Sequence, residues 1–414
     1  MTCNHEASPA IDFDQPVDRR HTASLKWERY AGRDILPMWV ADMDFQAPPA
    51  VLTALHQRVK HGVFGYTLPP AALIDTVVAR LAREYRWQVE PGWLVWLPGL
   101  VTGLNVACRA VGEAGSGVLT TVPIYPPFLT APAWSDRARC IAPLSLADGQ
   151  WRMDFAAMER AVSHDTALML FCNPHNPTGR AYTEAELIEV AAFCARHQLV
   201  ICADEIHGGL LLDQQRRHIP IATLAPEVAA RTITLMAPSK TYNIPGLGVS
   251  FAVIPDDTLR RRFRRVMDGI VPHVNALGYT AALAAYRDSD LWLDSLLDYL
   301  RGNRELVERR IAGMAGLTMP HVEATYLAWI DARGLGHPDP AAWFEQAGVG
   351  LSDGREFDGP GFVRLNFGCR RGLLQEALTR MEEAVGRGTL TDGNKELANG
   401  DQVSHRHGGA AGAR

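Results

Sequence analysis

An α/β fold is predicted from three observations. Short apolar runs without alternation recur between residues 93 and 254, helix-length segments separate most of them, and the distinctive polar residues fall just after those runs. Non-alternating strands are buried on both faces, as in a mainly parallel sheet covered by helices. In such sheets ligands bind outside the carboxyl ends of the strands.

Residues 1–35 are polar and irregular, and Ile35–Phe45 (ILPMWVADMDF) reads as an extended segment crossing a domain face. Ala47-Pro48-Pro49 opens a helix to about His61, because proline suits a first helical turn. Gly62–Pro70 is a loop exposing Tyr66, and Leu73, Val77, Leu81 and Tyr85 give Ala71–Trp87 helical spacing. Strands are predicted at Trp93–Leu97, Gly117–Val122, Ala167–Cys172, Leu199–Ala203, Arg231–Met236 and Val249–Ile254, with helices at Leu104–Gly112 and Glu184–His197. Helical patterning then dominates to about Ala315. Leu317–Ile330 and Gly361–Phe367 read as strands of a smaller α+β domain, and Leu373–Val385 as its closing helix. The expected organisation is a small domain from 1–48 and 290–387, a large domain at 49–289, and a disordered tail at 388–414 whose composition is glycine-rich and polar. His405 and His407 in that tail make too sparse a pattern for a metal site.

The chain has 414 residues and a net charge of −5, from 41 basic and 46 acidic residues, which argues against a nucleic-acid partner. Leu259–Arg265 is a basic run that reads as a solvated helix face. Seven cysteines are scattered without a C-x-x-C pair, so reduced thiols and a cytoplasmic setting are expected. Cys108, Cys172, Cys194 and Cys202 lie in apolar runs and are expected in the core. No signal peptide is read at the N-terminus, and no stretch reaches the roughly 18 apolar residues of a membrane span.

Lys240 follows an apolar run and precedes a Pro/Gly-punctuated loop in TITLMAPSKTYNIPGLG. Alone it is a solvated lysine or one whose amine is made nucleophilic by partial desolvation. Gly99-Leu100-Val101-Thr102-Gly103 opens a helix whose backbone N–H groups can hold a phosphate. Tyr125 offers a face to a flat ring, and Asn176 is aimed by the prolines of NPHNPTG. Asp204, directly after Leu199–Ala203, requires a cationic partner at that depth. Arg364 in FVRLNF is either half of a structural ion pair or a fork for a carboxylate. Together they describe a ligand with a phosphate, a flat aromatic cation, an aldehyde and a substrate carboxylate, namely pyridoxal phosphate (PLP) with an amino acid.

On NPHNPTG, ADEIH, APSKTYNIPGLG and VRLNFGC, the sequence resembles the fold-type I PLP enzymes, the aminotransferase class I/II superfamily, to about residue 387. MWVADMDF, FGYT and DEIH look like its cystathionine β-lyase or cysteine-S-conjugate β-lyase branch. The resemblance implies a seven-stranded type of sheet, a homodimer and the following roles. Lys240 would be the Schiff-base lysine and proton carrier, beside Ser239 at the cofactor. Asp204 would pair with the pyridinium nitrogen, Asn176 and His207 with the ring oxygen, and Tyr125 would stack on the ring. Val101 and Thr102 would bind the phosphate, with Tyr66 reaching in from the neighbouring subunit. Arg364 would hold the substrate carboxylate, with Val40, Ala41, Tyr66 and Asn176 also on the substrate side. Many aminotransferases carry an arginine eight residues after the lysine, where this chain has Gly248, a departure shared with the lyase branch. The expected activity is α,β-elimination from cystathionine or S-substituted cysteines. Transamination is the alternative, and a PLP-binding regulatory role a third.

Overall fold

The computed structural model describes residues 11–400, with side chains to Arg387. Its seven large-sheet strands are β1 (Leu94–Leu97), β2 (Gly117–Val122), β3 (Ala138–Pro143), β4 (Leu168–Cys172), β5 (Val200–Asp204), β6 (Thr232–Met236) and β7 (Ser250–Val253). They lie in the order β1-β7-β6-β5-β4-β2-β3, and β7 alone runs antiparallel to its neighbours. The mainly parallel sheet is therefore as expected. Strands β2, β4 and β6 are buried at every position, which requires helices on both faces. On one face Leu104, Ala107, Leu168, Cys202 and Ile233 pack together; on the other, Met169, Phe171, Val190, Phe193 and Ile201 do. The four cysteines expected in the core are buried.

The predicted strands missed β3. It is the edge strand, carries Arg139 and Pro143, and is exposed at both ends, so it lacks the apolar run that marks the central strands. The helix expected at Leu104–Gly112 spans Leu100–Ala110, which places Val101 and Thr102 in its first turn. The helical region after β7 divides into Asp257–Met267, Ala276–Asp288 and Asp290–Ala312. In the first of these Leu259 and Phe263 are buried while Arg261, Arg262 and Arg265 are exposed, so the basic run is a solvated face.

A three-stranded antiparallel sheet places Phe362–Asn366 between Leu327–Asp331 and Ser352–Asp353. The strand expected over Leu317–Ile330 is thus shorter; Thr318 and Ala324 contribute isolated bridges only. The closing helix runs Arg371–Gly400, so 388–400, expected to be disordered, continues that helix; 401–414, with His405 and His407, lies outside the described residues. Met38, Met43 and Phe45 share one apolar core with Leu296, Leu300, Leu327, Val363 and Leu378. The N-terminal segment is thereby sewn to the C-terminal half of the chain.

Candidate active site

Five strands deliver the candidate residues at one edge of the sheet. Lys240 follows β6, Asp204 closes β5, Asn176 follows β4, Tyr125 follows β2, and the Leu100 helix follows β1. This edge is where an α/β sheet leaves a crevice.

Lys240 is half-buried, and its Nζ donates to the Ala41 carbonyl at 2.6 Å. Burial lowers its pKa to about 8; Asp42 and Asp204 pull it up, and Arg364 pushes it down. The amine is therefore partly neutral near physiological pH, as a nucleophile and base must be.

Asp204 is buried, and its carboxylate accepts one hydrogen bond, from Ile206 N–H at 3.1 Å, among the described residues. Burial raises its pKa to about 7 against the opposing Ile206 bond and the Lys240 charge. A carboxylate so placed favours a cationic partner. The His207 imidazole is buried, and its Nδ1 has no partner among the described residues. Burial lowers its pKa to about 3, helped by Lys240 and Arg364, so it stands neutral.

Arg364 is buried, donating from Nη1 to Asn176 Oδ1 at 2.8 Å and from Nη2 to the Trp39 carbonyl at 3.0 Å and Ser352 Oγ at 3.2 Å. Its guanidinium lies 4.6 Å from the Phe357 ring centroid, and Nε has no partner among the described residues. No acidic side chain pairs with it among the described residues, which removes the structural ion pair as its explanation. Burial lowers its pKa to about 10, still leaving it cationic. A buried guanidinium with neutral partners suits a ligand carboxylate.

Fold and open donors fit PLP. Gly99 caps the Leu100–Ala110 helix without a side-chain hydrogen bond, leaving the first N–H groups open beside Val101 and Thr102. The hydroxyls of Thr102 and Ser239 have no protein partner among the described residues, and Ser239 is buried. These donors suit a phosphate, Asp204 suits a protonated ring nitrogen, and half-buried Tyr125 offers an aromatic face. Gly248 shows why no arginine stands there. Its φ is +59°, and a Cβ would lie 3.1 Å from the Pro98 carbonyl oxygen, at the entry to the phosphate loop.

Val40 and Ala41 lie alongside, their carbonyls bonded by Asn366 Nδ2 at 2.6 Å and by Lys240. Tyr66 alone is not brought in by its own chain; it is fully exposed on a segment with exposed Val63, Phe64 and Leu68. Sequence reasoning missed the supports of MWVADMDF. Arg19 bridges Asp42 and Asp44 at 2.7 Å each, and fully buried Lys26 pairs with Asp44 at 2.7 Å. Asn243 holds Met43 and Phe45, and Asn366 holds Val40 and Asp42. Asn366, an asparagine inside an apolar strand pattern, carried a readable signal; Arg19 and Lys26, in a polar stretch, carried none.

The sequence profile of the family described as aminotransferase class I and II matches residues 33–381. The chain belongs to that family. It is 35% identical over 391 residues to the cystathionine β-lyase PatB of Bacillus subtilis (strain 168), covering 91% of this chain and 100% of that protein. A crystal structure of OvoB superposes with a TM-score of 0.89 at 49% identity, covering 91% of this chain and 99% of that one. Cystalysin from Treponema denticola, whose structure contains PLP, gives a TM-score of 0.87 at 30% identity, covering 91% and 99% respectively.

Proposed function

We propose that this chain is a PLP-dependent carbon–sulfur β-lyase, cleaving cystathionine or S-substituted cysteines to a thiol, pyruvate and ammonia. The observation that carries the reading is the half-buried Lys240 amine with its pKa at about 8, within the fields of Asp204 and of an Arg364 that has no acidic partner among the described residues. PatB, named a cystathionine β-lyase, supports the choice of reaction within the family.

The cofactor supplies a carbonyl for amine exchange and a ring that withdraws electrons from the substrate α-carbon. Asp204 would hold the proton on its ring nitrogen, Asn176 and His207 would hydrogen-bond its ring oxygen, and Tyr125 would stack on the ring. The open turn at Val101 and Thr102, with Ser239, would take the phosphate. Arg364 fixes the substrate carboxylate, which orients the Cα–H bond toward Lys240, with Val40 and Ala41 as the facing wall. The neutral Lys240 Nζ removes the α-proton, and the C–S electron pair leaves with the thiolate. Water then converts the released enamine to pyruvate and ammonia.

The working unit is a homodimer in which the exposed Tyr66 enters the neighbouring subunit's site. Of the small domain expected from 1–48 and 290–387 beside a large domain of 49–289, residues 1–10 lie outside the described residues; the shared apolar core of Met38, Met43, Leu327, Val363 and Leu378 supports the rest. The free thiols among the described residues support a cytoplasmic setting, and no helix among the described residues is long and apolar enough to cross a membrane. The test is to supply a series of thioether amino acids to purified holoenzyme and follow pyruvate and thiol. Stoichiometric release of both, lost in Lys240→Ala, is expected. Conversion to the keto acid of the intact thioether, with the cofactor left in its amine form, would establish transamination instead.

A further inference from the structure

The Ala41 carbonyl oxygen receives two donors, Lys240 Nζ at 2.6 Å and the Tyr326 hydroxyl at 3.0 Å. Neither the lysine motif nor the arginine strand contains Tyr326. It is fully buried, and its ring meets the His207 imidazole edge to face at 6.2 Å. Burial, reinforced by Asp42, holds the phenol well above its ordinary pKa, so it remains a donor.

The backbone around Tyr326 is over-determined. Thr325 has a φ of 74°, a left-handed conformation that a β-branched residue rarely adopts. It persists under restraint: Thr325 N–H donates to the Leu210 carbonyl at 2.9 Å, Leu327 N–H to Thr325 Oγ1 at 3.1 Å, and Phe367 N–H to the Tyr326 carbonyl at 2.9 Å. Strain held in this way points to a side chain whose position matters. The loop it reaches is fixed as well. Asn366 Nδ2 donates to the Val40 and Asp42 carbonyls at 2.6 and 2.7 Å, and Asp42 N–H to the Val40 carbonyl at 2.9 Å. The Ala41 oxygen, between two clamped carbonyls, thus has little freedom except to face Tyr326 and Lys240.

We infer that the Ala41 carbonyl is the dock for the free amine of Lys240 and that Tyr326 is the positioning residue that aims it. The inference rests on the proposed role of Lys240 as the proton-carrying lysine. A carbonyl accepts a stronger, charge-assisted hydrogen bond from an ammonium than from a neutral amine, so this dock favours the protonated amine that exists after the α-proton has been taken. It also keeps the amine on the substrate side between steps. The charged and titratable groups facing that amine are Asp42 from the docking loop, Asp204 and His207 from the end of β5, Arg364 from its strand, and Tyr326 itself.

The test uses Tyr326→Phe, which keeps the ring, and Tyr242→Phe as a control. Tyr242 is another buried tyrosine, whose hydroxyl has no partner among the described residues. Two readouts apply to the full-length chain: deuterium exchange at Cα of L-alanine by the holoenzyme, and the pH dependence of PLP uptake by protein stripped of cofactor. For Tyr326→Phe the expected results are about tenfold slower exchange, an L-alanine KM within about twofold, and an uptake midpoint moved by at least about half a pH unit, in keeping with the cost of misplacing a reacting group. Tyr242→Phe should leave all three unchanged. Wild-type exchange and an unmoved midpoint in Tyr326→Phe would overturn the inference. So would slower exchange with an unmoved midpoint and a lowered melting temperature, which marks a purely structural tyrosine. Exchange and uptake both precede departure of any leaving group, so a chain that releases no thiol can still pass or fail this test.

Discussion

Asp204 sits where a carboxylate is hard to keep ionised unless a cation comes with the ligand. Burial raises its pKa from 3.8 to about 7. Without the cofactor the folded state therefore binds this proton more tightly than the unfolded chain does. Stability is unaffected below pH 4, declines as pH rises from 4 through 7, and stays reduced above. A shift of this size corresponds to roughly 4 kcal/mol. Asp204→Asn removes the titration. Melting curves of cofactor-stripped protein should show the variant more stable than wild type at pH 8 by several degrees, with the difference narrowed at pH 5 and gone below pH 4; parallel curves across that range would contradict the burial argument. The same substitution should weaken PLP binding, since the ring nitrogen loses its counter-ion. Asp204, Asn176, Lys240 and Arg364 were legible because each is a polar residue interrupting or ending an apolar run. Tyr326 and Lys26 were not. A tyrosine near a strand and a lysine in a polar stretch look ordinary until folding brings Ala41 and Asp44 against them.

Between residue and fold lie the loops that turn strand ends into a site. The central strands were readable because they are mainly apolar, whereas β3, the edge strand, has to be found by its hydrogen bonds to β2. The start of the Leu100 helix was placed four residues late because glycine at its head reads as loop, although that open end gives the turn its free N–H groups. The turn also explains Gly248. With a φ of +59° and the Pro98 carbonyl oxygen 3.1 Å from where a Cβ would stand, any side chain there is strained and presses on the entry to the phosphate loop. Gly248→Arg therefore should not add a phosphate ligand. It should cost on the order of 1–3 kcal/mol and weaken PLP binding together with stability. Equilibrium titration with PLP and a melting curve check this; tighter binding in the variant would show that the loop can yield.

At the scale of the whole molecule, one chain gathers every candidate residue except Tyr66. That side chain is fully exposed, on a segment where Val63, Phe64 and Leu68 are also exposed. A run of exposed apolar residues without regular structure is costly for a lone subunit and natural for one that packs against a copy of itself. If Tyr66 completes the partner's site, each site draws Lys240 from one subunit and Tyr66 from the other. Tyr66→Ala and Lys240→Ala homodimers should then both be impaired, the second completely. Mixing and reassociating them yields heterodimers in which one site lacks both residues and the other is wholly wild type. With random pairing, half the dimers are mixed and half of their sites are complete, so about a quarter of wild-type turnover should return, as two-fold symmetry requires. Were Tyr66 to serve its own subunit's site, every site in the mixture would lack one residue and mixing would restore nothing. Pyruvate release before and after reassociation, with the fraction of mixed dimers measured by tagging one variant, separates the two arrangements.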